Sequence, residues 1–187
     1  MMIYHVRNKK VLLRISDPKL YAELYTRLKR LGVQISDTSD SLTISDPEYE
    51  KLNISSDRDV SKILASIYLK WLGKEAFDEL LIGVDTNQGR LAVAALADGQ
   101  LVETRETDIE KAHELLESII STYPHRRIYI GIGIGNQEGK KVYNYLKRFF
   151  PYAKGVDENR TNSKSPYISI KDKDMRAAYA IALRSTL

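Results

Sequence analysis

A chain of 187 residues, 43% hydrophobic and 29% charged, has the length of one ordinary domain or two small ones and the composition of a globular protein, which excludes a disordered chain. It contains no cysteine, so disulfides, thiolate zinc sites and cysteine nucleophiles are excluded together. The net charge of +4, with a pI near 9.1, fits a polyanionic partner without demanding one.

The three histidines, His5, His113 and His125, have no ligand-like spacing, so any metal here should be a hard cation held by oxygen. No apolar run is long enough to span a bilayer, and residues 1–10 are too basic for a signal peptide. The expectation is a cytoplasmic protein with no membrane partner. Tyrosine, at 12, far outnumbers phenylalanine, at 3; core-edge packing accounts for most tyrosines, and stacking on bases is the rarer use.

The first segment reads as a small α/β domain, residues 1–76. Lys10 to Ile15 is a short apolar run typical of a buried strand. Asp17-Pro18 starts a helix, and Tyr21, Leu24, Tyr25, Leu28 and Leu31 follow at helical spacing until Gly32 ends it. Val33 to Ile35 and Ser41 to Ser45 are further strands. The polar stretch from Ser45 to Asp59 reads as a loop. A helix follows from Asp59 to Leu72, stopped by Gly73.

The second segment, residues 79–187, opens with a strand, Leu80 to Asp85. Arg90 to Ala97 and Gln100 to Glu106 form a hairpin about Asp98-Gly99, a strong turn signal. Asp108 should cap a helix running to Thr122. Arg127 to Ile134 is strongly apolar and so expected to be buried on both faces. A helix from Gln137 to Phe150, a short strand from Tyr152 to Val156 and a helix from Lys173 to Arg184 complete the chain. Three antiparallel strands followed by alternating helices and strands predict a mixed five-stranded sheet with helices on both faces.

Three groups of acids stand at element ends. Asp85 closes the first strand of this segment, where an aspartate also serves to cap its own turn. Asp157 and Glu158 follow the last strand. Asp174 begins the last helix, where the helix dipole favours it, and shares a face with Ala177, Ala178 and Ile181. The small alanines on that face allow close approach to the sheet.

Together these elements resemble the YqgF branch of the RuvC-like nucleases. Leu81-Ile82-Gly83-Val84-Asp85 and Leu91-Ala92-Val93-Ala94 are similar to the family's opening strands, and Ile128 to Gly139 to its fourth strand and trailing glycine. Val156-Asp157-Glu158-Asn159-Arg160-Thr161 is similar to its D-E-R-L-T motif, with the arginine one place later. Asp174-Met175-Arg176-Ala177-Ala178 is similar to its last, alanine-rich helix.

The resemblance covers the whole second segment and implies a ribonuclease H-like fold. It also implies a Mg2+- or Mn2+-dependent endonuclease or exonuclease, with Asp85, Glu158 and Asp174 as catalytic and metal-binding acids. Two such ions can activate a water and stabilise the leaving oxygen in phosphodiester hydrolysis. Arg90, Lys154, Arg160, Lys164 and Arg176 are candidates to hold the phosphate backbone of a DNA junction or structured RNA.

Two other readings stay open. A non-catalytic nucleic-acid-binding module would keep the fold and lose the metal. An actin-like or sugar-kinase-like nucleotide site shares the opening strand and hairpin, but this chain lacks the duplicated half such clefts use. The Gly131-Ile132-Gly133-Ile134-Gly135 stretch is no phosphate loop, since it sits within an apolar strand and lacks the lysine and Ser/Thr of a P-loop. Glu138, just past the fourth strand, is the rival to Glu158 for the third acid. The oligomeric state is open, a homodimer included.

Overall fold

The structure, a computed structural model, describes residues 10–38, 41–46, 57–87, 89–157 and 170–187. The chain divides into two compact units, Met1–Ala76 and Phe77–Leu187. No helix among the described residues is long and apolar enough to cross a membrane.

In the first unit, β1 (Lys10–Arg14) buries Val11 and Leu13 on one side, as the two-residue strand period requires. The helix α1 (Pro18–Arg30) starts where expected: the Asp17 carboxylate accepts the N–H groups of Lys19 and Leu20, and proline occupies the first turn. Leu20, Leu24 and Leu28 form its buried stripe. The strands β2 (Gln34–Ile35) and β3 (Leu42–Ser45) both run parallel to β1, in the order β2-β1-β3. The second helix, α2 (Asp57–Leu72), begins two residues before the sequence suggests. Arg27 of α1 donates to the Ser61 hydroxyl of α2 at 3.1 Å.

The second unit contains β4 (Phe77–Asn87), β5 (Arg90–Ala97), β6 (Gln100–Asp108), α3 (Ala112–Thr122), β7 (His125–Gly133), α4 (Gln137–Leu146), β8 (Lys154–Val156) and α5 (Lys173–Arg184). The sheet order is β6-β5-β4-β7-β8. β4 runs antiparallel to β5 and parallel to β7, β5 runs antiparallel to β6, and β7 runs parallel to β8. This is the mixed five-stranded sheet with flanking helices that the apolar pattern predicts. The β5–β6 hairpin turns on Asp98 and Gly99, with φ of 48° and 77°. Both left-handed values belong to the tight turn that matches strand twist. The Asp98 carboxylate also accepts the N–H groups of Asp78 and Glu79, at 2.7 and 3.1 Å.

Three local expectations need correction. Asp108 makes no side-chain cap; the chain passes through a short 3-10 turn, Ile109–Lys111, before α3 begins. The helix α4 ends at Leu146, four residues early, and gives way to turns. Pro151 disfavours the helical conformation at Phe150, and the preceding N–H groups tighten to three-residue bonds, Arg148 to Tyr145 and Phe149 to Leu146. Finally, β7 is fully buried only from Ile130 to Gly133. β8 pairs with it only over Gly131–Gly133, which leaves the His125–Arg127 end at a sheet margin.

The core of this unit is built around α5. Leu80, Ile82 and Val84 are buried on one face of β4. The alternate residues Leu81 and Gly83 meet α5 on the other. Gly83 and Gly131 are neighbours in register. A Cβ at Gly83 would run into the Ala178 carbonyl oxygen and the Ala182 amide nitrogen, and would lie 2.9 Å from Ala182 Cβ. At Gly131 it would lie 2.9 Å from the Ile181 carbonyl oxygen. The alanine face of α5 is therefore only half of the close approach; the glycine pair in the sheet is the other half.

Candidate metal centre

Asp85 lies on the same face of β4 as Leu81 and Gly83, since side chains alternate along a strand. It is 7% exposed, although a carboxylate is among the groups least often buried. Its partner across the hairpin is Ala92. Ala92 and Ala94 pack with Ala178, and Met175 and Tyr179 of α5 close over them. The first turns of α5 thus stand over the Asp85–Ala92 pair.

Asp174 is in the first turn of α5, four residues before Ala178 and so on the same side of the helix. The cap itself is Asp172, whose carboxylate accepts the Met175 N–H at 2.9 Å. Asp174 is thereby released from capping. Its Oδ2 accepts the side-chain N–H of Asn87 at 2.7 Å. Asn87 is two residues beyond Asp85 and on its face, about 7 Å further along the strand. Asp85 and Asp174 accordingly share one end and one face of the sheet. Asn87 was not singled out from the sequence; its side-chain amide, set at even spacing from Asp85, was the available signal.

Glu158 lies outside the described residues. Asp157, just before it, follows β8, two strands from β4 and so about 10 Å away at the backbone. The Asp157 carbonyl accepts Arg184 Nη1 of α5 at 3.0 Å, which ties that chain end to the far end of the helix. Glu138, in the first turn of α4, reaches the β4–β5 turn: its Oε1 lies 4.0 Å from where a Cβ on Gly89 would be. Among the described residues, no group of three or more histidines and acids is arranged to hold a metal ion.

The proposed phosphate-binding residues divide. Arg90 and Lys154 are exposed, and Arg90 makes an open ion pair with Glu106 at 3.6 Å. Arg160 and Lys164 lie outside the described residues. Arg176 has a local role instead: its Nη1 donates to the carbonyls of Ile170 and Lys171, at 2.9 and 2.6 Å, and holds the chain entering α5.

On the opposite face of β4, next to Asp85, the Thr86 hydroxyl is buried and makes no hydrogen bond. Compared with models of protein families and with curated protein sequences, the chain matches none.

Proposed function

We propose that the second unit is a metal-dependent nuclease domain of the RuvC/YqgF kind, hydrolysing phosphodiester bonds in structured DNA or RNA. The observation that carries this reading is the pair Asp85 and Asp174, one buried at the end of β4 and the other held over the same strand end by Asn87 at 2.7 Å. Two carboxylates with oxygen donors only suit Mg2+ or Mn2+. Such ions would supply an activated water and charge stabilisation at the leaving oxygen.

The chain's own residues have distinct tasks. Asp85, buried on the face of β4 that α5 covers, presents its carboxylate near the start of that helix. Asn87 takes up one oxygen of Asp174 and so fixes the plane of that carboxylate, the outer-shell orientation that metal ligands commonly receive. The resemblance supplies Glu158 as the third acid. Glu138, beside Gly89, is the rival for that place, although it forms no metal-binding group with Asp85 and Asp174 among the described residues. Arg90 sits at the turn beside Asn87, and its exposed pair with Glu106 is weak enough to exchange for a phosphate.

The test uses the whole chain with labelled junction, duplex and single-stranded DNA and RNA, in Mg2+ or Mn2+. Wild type should cleave at least one of them. Asp85→Asn should reduce cleavage to background and leave affinity almost unchanged, because phosphate contacts supply most of it. Salt-sensitive binding without metal-dependent cleavage by wild type would replace this reading with a non-catalytic nucleic-acid-binding module.

A further inference from the structure

Between Gly139 and Val156 the chain carries Lys140, Lys141, Lys147, Arg148 and Lys154 and no acid at all. The same stretch carries Tyr143, Tyr145, Phe149, Phe150 and Tyr152. Acids stand at its borders: Glu138 opens α4, and Glu110, Glu114 and Glu117 belong to α3, which carries His113, and the turn before it. The cationic strip therefore runs from Lys140 in α4 to Lys154.

Two aromatic rings in that segment are left in the open. Phe149 is 41% exposed and Tyr152 is 50% exposed. Phe149 is nevertheless held in place. Its ring stacks on His113, with centroids 4.3 Å apart and planes 13° apart. Tyr145 meets Phe149 edge-on at 5.3 Å. The Tyr145 hydroxyl is bonded to His113 Nδ1 at 3.1 Å and donates to the Glu110 carbonyl at 3.3 Å. Tyr152 is braced edge-on by the buried Phe150 at 6.2 Å. An exposed ring ordinarily loses rotamer freedom when it binds; here three neighbours have already removed that freedom.

We infer that Phe149 and Tyr152, flanked by Lys147 and Arg148, form a stacking platform for the unpaired bases of single-stranded nucleic acid. An aromatic face receives any base, and the adjacent cations receive the phosphates between bases. The charge decides the occupant: residues 140–155 offer five cations and no acid beside the two rings, which suits a polyanion with flat apolar rings better than an apolar or basic protein partner. Lys147 is already set for this, with its ammonium on the Tyr143 hydroxyl at 2.6 Å and over that ring at 4.9 Å. The platform lies one helix length from the Glu138 end of α4, about 15 Å for ten residues. A strand bound there has its continuation within reach of the carboxylate end. This inference rests on the nucleic-acid reading above and names what is recognised, an unpaired base.

The experiment measures affinity of the whole chain without divalent metal, by fluorescence anisotropy. The probes are an oligothymidine of about 12 nucleotides, within the usual site size for such platforms, and the same strand with abasic sites along its middle. Phe149→Leu keeps apolar cover over His113 but removes the aromatic face. It should weaken oligothymidine binding about ten-fold and leave the abasic strand unaffected, and Phe149→Trp should retain or improve binding. Lys147→Gln with Arg148→Gln should weaken both strands alike and flatten the salt dependence by about 1.4 in log–log slope, two phosphate contacts' worth. No oligothymidine binding by wild type, or a Phe149→Leu loss that is absent or equal on the abasic strand, overturns the platform. Base-dependent binding without any cleavage refutes the nuclease reading alone. Cleavage that persists with Phe149→Leu-insensitive binding refutes the platform alone.

Discussion

Asn87 and Asp174 stand 87 residues apart in the chain and 2.7 Å apart in the fold. An amide donor on a ligand carboxylate acts on metal affinity through orientation, and loss of such a partner costs about 10–100-fold. Asn87→Ala should therefore weaken Mn2+ binding by that factor, measured by calorimetry, with little change in folding stability because the bond is exposed. A stability loss without a change in Mn2+ affinity would show that Asn87 only braces α5. The third acid is decided in the same assay. Glu158→Gln should lower Mn2+ affinity on the primary assignment, and Glu138→Gln should do so if the side chain beside Gly89 completes the set. Asp85 and Asp174 were both legible in the sequence as acids at a strand end and a helix start. Their shared face was not, because it depends on which strand α5 crosses.

At the scale of elements, the approach of α5 to β4 organises the site. Gly83 admits no side chain: a Cβ there meets helix backbone, which cannot move aside as a flexible side chain would. Gly131 is less crowded, with contacts of 2.9 to 3.0 Å. Gly83→Ala should thus destabilise the second unit by on the order of 3 kcal/mol, the upper part of the usual overpacking range, and Gly131→Ala by clearly less. Urea unfolding followed by circular dichroism checks the ranking; equal effects would mean that α5 shifts freely on the sheet. The strands themselves were readable as apolar runs, and Asp98-Gly99 announced its hairpin. The glycines read only as strand residues, since close packing between a helix and a sheet leaves no local periodicity. The end of α4 was misread for the opposite reason: apolar spacing continues to Phe150, but Pro151 overrides it.

For the whole molecule, the division into two units makes metal binding and folding stability separable. A ligand that binds only the folded state stabilises it by RT ln(1 + [L]/Kd), about 2.7 kcal/mol at a hundred-fold excess over Kd. Asp85, Asp174 and both candidates for the third acid all belong to Phe77–Leu187. Mn2+ should therefore raise the midpoint of the thermal transition that reports the second unit. A transition belonging to Met1–Ala76, where the two separate in calorimetry, should not move. The apo protein carries the opposite bias, because neighbouring carboxylates repel one another until a cation joins them. Asp85→Asn relieves part of that repulsion and removes a ligand at once. The variant should consequently match or exceed wild type in stability without metal and gain almost nothing on adding Mn2+. Stability that responds to Mn2+ equally in wild type and Asp85→Asn would place the cation elsewhere on the chain and remove the basis for metal-dependent cleavage at this site.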